Sequence, residues 1–388
     1  MGLVGPGFVA RHHIDAVRRL GFVDIVAIAD VDEGLARAKA QSLGVPKAYG
    51  SFEALAADPA VDVVHNTTPN FLHAPVIRAA LARGKHVISE KPLAASGKEA
   101  LALWQSARDA GVVHAVTFNY RGNPMVEQAR AMVAAGEIGA PHFVHGAYLQ
   151  DWLLKPTDFS WRLEPDKGGA SSAVADIGSH WCDVVQHVTG RRIEAVLADL
   201  TTVVPIRYKP REAREAFVAA DERGEAVEIK GEDLATILLR FDGRTKGAVS
   251  VGQVCAGHKN DFWFEVCGAS GSLSWQQEHQ NELWIGRRDE PNRVMTKEPA
   301  LLLPSARRYS RLPGGHQQGW SDALFNVLDD VYSDIVSGTA ARSGSMPLYP
   351  TFEDGSRVAC LIDAVLESHR RRGVWTAVES AQLAGNVR

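Results

Sequence analysis

The chain has 388 residues, 45% of them hydrophobic, enough for a large core and for two domains rather than one. Its net charge is −4 with no basic stripe, which argues against a nucleic-acid or anionic-membrane partner. No apolar run approaches the roughly 18 residues that a membrane helix needs.

The first 120 residues alternate strand and helix patterns. Apolar runs fall at 2–4, 23–29, 61–65, 86–89 and 112–118, with stretches rich in Ala, Leu, Arg and Lys between them. That alternation predicts a parallel sheet covered by helices on both faces. Gly21, Gly44, Gly84 and Gly111 stand where the helices should stop. The opening reads as a short strand and a glycine turn, not as a secretory signal.

That turn, Gly5-Pro6-Gly7-Phe8-Val9-Ala10, fits G-x-G-x-x-G/A between strand and helix. Gly5 would make the tight turn, Gly7 would let the backbone approach a pyrophosphate, and Ala10 would let helix and strand pack closely. The pyrophosphate would sit on the free N–H groups of the helix start. The plain alternative is an ordinary turn. Asp30 ends the second run, 23 residues after Gly7, where an acidic residue accepts from ribose hydroxyls. Its charge repels a 2′-phosphate, so NAD is expected over NADP. A helix cap is the alternative for Asp30, and Asp32 suits that role better. Thr68-Pro69-Asn70 follows the third strand, as a cofactor contact or simply a turn.

Glu90-Lys91-Pro92 follows the run 86–89 and puts a lysine at the carboxyl edge of a parallel strand, where ligands bind in open α/β sheets. Pro92 biases Lys91 to an extended backbone. An ammonium there could stabilise alkoxide character on a reacting oxygen, or it could be a snorkelling surface lysine.

The pattern changes after about residue 121. Longer strand candidates appear at 195–204, 235–241, 247–254 and 262–267, and helical patterns return near 322–337 and 351–372. These predict an α+β domain on a largely antiparallel sheet. The domains expected are 1–120 and 121–388. The charged stretch 207–223 reads as a solvated insertion or exposed helix, and 343–345 as a mobile loop. The four cysteines are scattered, with neither metal spacing nor a disulfide framework, so no metal and a cytoplasmic location are expected.

Asp176 and His180 are four residues apart, which puts them on one face of a helix. A neutral imidazole suits a general base near pH 7, and a carboxylate beside it can stabilise the imidazolium that forms. A capping Asp, a satisfied core His and a metal pair are the other readings; the last lacks further ligands at a visible spacing.

Together these residues resemble the Gfo/Idh/MocA family of sugar and cyclitol oxidoreductases. The resemblance covers nearly the whole chain. It rests on the Gly5–Ala10 turn, Ala29-Asp30-Val31-Asp32, Thr68-Pro69-Asn70 with His73, and Glu90-Lys91-Pro92. Further on it includes Tyr120-Arg121, Trp161-Arg162, 168–183 and 268–275. It implies a Rossmann domain, then an α/β domain whose open sheet often forms an oligomer interface, so a homodimer or homotetramer is expected. It implies Lys91, Asp176 and His180 as the catalytic group, with Trp161 and Arg162 approaching the nicotinamide end. Gly168-Gly169 is followed by Ala170, where the family's usual pattern has a third glycine. The resemblance leaves the substrate open. Gln150, Trp152, Trp161 and His316 are candidate pocket residues for a hydroxyl-rich ring. Arg121 and Arg162 keep a hydroxy-acid substrate as a rival. An NAD-dependent glycosidase and a non-catalytic NAD sensor are the alternatives to a dehydrogenase.

Overall fold

The computed structural model of the chain describes residues 1–211, 224–338 and 347–379. The expectations for 212–223 and 343–345 lie outside the described residues. The first half contains β1 (Gly2–Val4), α1 (Phe8–Leu20), β2 (Ala27–Ala29), α2 (Glu33–Leu43), β3 (Lys47–Tyr49), α3 (Phe52–Ala57), β4 (Val63–Asn66), α4 (His73–Leu81), β5 (His86–Ser89), α5 (Gly97–Ala110) and β6 (His114–Val116). Among the described residues these strands form one parallel sheet in the order β3-β2-β1-β4-β5-β6. That is the doubly wound order of dinucleotide-binding domains, which places ligand contacts at the carboxyl ends of β1, β2, β4 and β5. Gly21, Gly44, Gly84 and Gly111 all have positive φ, as left-handed helix stops should.

The remainder contains α6 (Pro124–Ala134), β7 (Pro141–Leu149), α7 (Pro165–Gly168), α8 (Ser179–Thr189), β8 (Ile193–Thr201), β9 (Ile206–Lys209), β10 (Glu225–Glu228), β11 (Leu234–Phe241), β12 (Lys246–Gly252), β13 (Asp261–Gly268), β14 (Ser272–Gln276), β15 (Glu282–Gly286), β16 (Arg293–Thr296), α9 (Pro304–Arg307), α10 (Trp320–Ser337), α11 (Phe352–Arg370) and β17 (Thr376–Ala377). Nine of these strands form a second sheet, β16-β15-β14-β13-β7-β12-β11-β8-β17, antiparallel except where β7 pairs parallel with β12. The Rossmann sheet and the mostly antiparallel second sheet both agree with the expected fold.

Packing gathers the described residues into two compact units. One comprises Met1–Asn119, Asp166–Gly169 and Leu324–Ala359; the other takes Tyr120–Pro165, Ala170–Ala323 and Cys360–Arg388. The late segment belongs with the first unit for a visible reason. Phe352 and Ala359 join the core of Leu55, Val64, Ile77 and Val87, and the amide of Val116 donates to the carbonyl of Pro350 at 3.0 Å.

In the second unit, α8 lies on β7 and β13 through Gly146. A Cβ there would stand 2.2 Å from the carbonyl oxygen of Trp263 and 2.6 Å from Nε1 of Trp181. The absent side chain lets the Trp181 indole donate to that carbonyl at 2.9 Å. The solvated reading of 207–223 fails at its start: Arg207 lies in β9, fully buried, paired with Asp233 at 2.8 Å and donating to the carbonyls of Lys155 and Asp158. No helix among the described residues is long and apolar enough to cross a membrane.

Candidate active site

In the first unit the glycine turn has the geometry its spacing predicts. Gly5 has φ +84°, and a Cβ on it would press on Thr68 Cα at 2.9 Å and the Thr67 carbonyl at 3.0 Å. Gly7 starts α1, and nothing lies within 4 Å of where its Cβ would be. The turn is therefore closed behind and open in front, which fits a pyrophosphate at the helix start. Phe8 and Val9 begin that helix, with Phe8 exposed. Asp30 follows β2, its Oδ1 accepting from the Asp32 amide at 3.0 Å, while Asp32 caps α2 through the Leu35 amide. Asp30 is thus not the helix cap.

Beyond β4, Thr67 donates to the Val4 and Gly5 carbonyls and ties this turn to the glycine turn. Thr68 donates to Asn66, and Asn70 donates to the Gly168 carbonyl at 2.9 Å. His73 is buried, with ring nitrogens 2.6 Å from the Pro92 carbonyl and 2.9 Å from the Thr68 carbonyl. It clasps the Thr68-Pro69-Asn70 turn to the Glu90-Lys91-Pro92 turn, and burial pulls its pKa down. The Lys91–Pro92 peptide is cis. Burial alone would raise the Glu90 pKa, but the bond from His13 and the charge of Lys91 hold it at about 2.

In the second unit Asp176 sits in a π-helical turn, Val174–Gly178, that runs straight into α8 and His180. Such wide turns recur at functional sites. Glu232 caps the segment, its Oε1 accepting from the amides of Ser172 and Val174 and from the Ser171 hydroxyl. The Asp176 carboxylate accepts from Arg162 Nε at 3.1 Å and from Gln253 Nε2 at 2.8 Å. Arg162 lies over the Trp161 ring at 4.6 Å, so Trp161, Arg162 and Asp176 form one group. The nearly buried His180 ring meets Tyr120 edge to face, centroids 5.1 Å apart. Tyr120 and Tyr148 share a 2.8 Å hydroxyl contact; Tyr148 and Gln150 both donate to Asn260 Oδ1. Burial pushes the Tyr120 phenol up to about 12, which leaves it neutral.

The weaker pocket candidates separate. Arg121 is tied to Asp183, Nε to Oδ2 at 2.8 Å. Gln150 is buried beside the tyrosines, and its Oε1 has no partner among the described residues. Trp152 packs on Leu153, Leu163 and Ile229. His316 lies exposed on a loop, its Nδ1 3.3 Å from the Gly314 carbonyl.

Residues 1–118 match the family described as "Oxidoreductase family, NAD-binding Rossmann fold", and 126–274 match "GFO/IDH/MocA C-terminal domain". Over 97% of both chains, the sequence is 30% identical to levoglucosan dehydrogenase of Pseudarthrobacter phenanthrenivorans. The chain belongs to the GFO/IDH/MocA oxidoreductase family. A solved levoglucosan dehydrogenase in complex with NADH and L-sorbose superposes with a TM-score of 0.88 at 30% identity, covering 98% of each chain. An inositol dehydrogenase homolog complexed with NAD+, from Azotobacter vinelandii, gives 0.85 at 28%, covering 97% of this chain and 96% of that one. As a member of this oxidoreductase family, the chain carries supporting residues that the sequence did not single out: Glu232, Gln253, Tyr148 and Asn260. Each is an ordinary polar residue in its own stretch, and only the folded sheet brings it to the turn or the ring it serves.

Among the described residues, His145, Glu265 and Cys267 offer three metal-ligand types within 4.8 Å of one another. Strand alternation puts them on the opposite face of β7 and β13 from Tyr148 and Phe262.

Proposed function

We propose that the chain is an NAD-dependent dehydrogenase that oxidises a secondary ring hydroxyl of a sugar or cyclitol. The observation that carries this reading is the Asp176 carboxylate, fixed by Arg162 and Gln253 in the turn that delivers His180. His180 accepts the hydroxyl proton, and Asp176 favours the charge left on the ring. Lys91 serves the same reaction, hydrogen-bonding the oxygen as alkoxide character develops. NAD, when bound, supplies the hydride acceptor. Asp30 accepts from the ribose hydroxyls and disfavours a 2′-phosphate.

A neutral polyol is favoured over a hydroxy acid. Arg121 and Arg162 commit their guanidinium groups to Asp183 and Asp176, so neither is a ready clamp for a substrate carboxylate. Gln150 Oε1 is an acceptor suited to a substrate hydroxyl. Likeness to levoglucosan dehydrogenase puts levoglucosan and related pyranoses first among the substrates.

The protein works as a cytoplasmic homodimer or homotetramer. In support, the four cysteines are free thiols. Leu238 and Phe143, 43% and 38% exposed, also offer apolar surface on the second sheet for a second copy.

The test is NADH formation across levoglucosan, other pyranoses, inositols and short hydroxy acids. Turnover on a ring polyol is expected. Turnover on hydroxy acids alone would overturn the reading.

A further inference from the structure

Four side chains form a continuous line inside the first unit. The Tyr332 hydroxyl is 2.8 Å from Nε2 of His65, and Nδ1 of His65 is 2.9 Å from Nδ1 of His13. Nε2 of His13 is 3.1 Å from Oε1 of Glu90. Tyr332 is 2% exposed and both histidines 0%.

Every link in such a line needs one donor and one acceptor, and a neutral imidazole offers one of each. One assignment uses every polar hydrogen. The phenol donates to His65 Nε2, His65 Nδ1–H donates to His13 Nδ1, and His13 Nε2–H donates to the Glu90 carboxylate. The reverse direction turns a His13 lone pair against that carboxylate, unless Glu90 is protonated or His13 becomes an imidazolium in a dry core; both are costly. Burial drives the His65 pKa well down, in keeping with a neutral ring. Glu90 is held from two further sides, by the Thr117 hydroxyl on Oε1 at 2.5 Å and by the Lys91 backbone amide on Oε2 at 3.4 Å.

We propose that Tyr332 and His65 are positioning residues that lock His13 as its Nε2–H tautomer, so that Glu90 stays a carboxylate and anchors the backbone at Lys91. The logic is that of a triad's third member, which fixes which ring nitrogen carries the proton. The effect on rate rests on the role of Lys91 proposed above; the tautomers do not.

The first measurement is a long-range 1H–15N spectrum of histidine-labelled protein at neutral pH. His13 should appear as Nε2–H and His65 as Nδ1–H, both neutral. Finding His13 as Nδ1–H, or either ring as imidazolium, overturns the proposal.

The second compares His65→Asn, whose amide nitrogen stands in for Nδ1, with His65→Leu, which offers no donor. In His65→Leu the His13 Nδ1 lone pair loses its donor and can take a proton while Nε2–H still meets Glu90, so the His13 signals should move toward the imidazolium. A wrong tautomer within a hydrolase triad costs about 10⁴ in rate, and one step farther from the chemistry we expect about tenfold in kcat. NAD affinity should hold, and His65→Asn should recover most of the rate. Equal losses in the two variants would mean packing alone and would overturn the proposal. If His65→Leu does not fold, Tyr332→Phe removes only the donor to His65 Nε2, and His65 should then populate both tautomers; an unchanged His65 overturns the proposal. Correct tautomers in a protein that oxidises no ring polyol would sink the dehydrogenase reading and leave the hydrogen-bonded line standing.

Discussion

Gln253 donates its side-chain amide to Oδ2 of Asp176 across 2.8 Å. Gln253 immediately follows β12, whereas Asp176 lies in the π-helical turn before α8, so a sheet edge fixes the carboxylate that precedes His180. Gln253→Leu should remove the sheet's hold on Asp176 and keep that of Arg162. We expect kcat to fall about tenfold with little change in NAD affinity, since outer partners of site residues typically cost about 10–100-fold. An unchanged kcat on a confirmed substrate would mean that Asp176 does not depend on Gln253.

Lys91→Ala should remove most turnover while leaving NAD affinity nearly intact. Loss of one preorganised donor at a developing oxyanion costs about 10²–10³ in rate. Steady-state kinetics beside a direct NAD titration separate the two effects, and near wild-type kcat would remove Lys91 from the mechanism.

Asp30→Ser combined with Val31→Arg should weaken NAD and improve NADP. The change removes the ribose acceptor and adds a cation for the 2′-phosphate. Val31 is 78% exposed, so the new guanidinium has room. The ratio of kcat/KM for the two cofactors is the readout, and an unmoved ratio contradicts the role of Asp30.

Gly146→Ala should destabilise the protein. The new methyl would meet the Trp263 carbonyl and the Trp181 indole, and overpacking of this kind costs about 1–3 kcal/mol. At about 2–4 °C per kcal/mol for a domain of this size, Tm should drop by several degrees. NAD affinity should not change, because the glycine turn belongs to the other unit. An unaltered Tm would show that α8 can shift on its sheet at no cost.

His187 gives a stability change with a predictable sign. Burial holds its pKa at about 4, below the ordinary 6.5, while its Nε2 lies 3.2 Å from Glu127. Between pH 6.5 and 4 the unfolded chain takes up a proton that the folded ring refuses, so its contribution is lost as pH falls through that window. His187→Gln keeps a donor to Glu127 without the titration. Its Tm should fall less than wild type between pH 7 and 5, measured by scanning calorimetry. Parallel curves would assign the acid sensitivity elsewhere, His114 being the next candidate, also at about 4 through burial.

The first sheet was legible because parallel strands buried on both faces read as plain apolar runs between helices. Its edge strand β3, Lys-Ala-Tyr, was not, being short and polar at its exposed start. β7 is equally hard to read from the sequence. Its centre is His145-Gly146, a poor strand signal alone, and the glycine makes sense only once Trp181 lies against it. Arg207 looked solvated because its partner Asp233 is 26 residues away and nothing local announces the pairing. At the candidate site, Lys91, Asp176 and His180 announced themselves through neighbours in sequence. Gln253, Glu232, His65 and Tyr332 act across the fold, and each read alone as an ordinary core or surface residue. The helical pattern near 322–337 was visible, but not that Tyr332 would reach back to His65.

The return of Leu324–Ala359 to the first sheet bears on how the protein is made. When residue 119 leaves the ribosome, Val116 still lacks the Pro350 carbonyl, and His65 still lacks Tyr332. A nascent first unit must wait for more than 200 further residues before its polar line and core close. Nucleotide-binding competence should therefore arise late in synthesis. A fragment ending near residue 119 should be a chaperone client rather than a cofactor-binding domain.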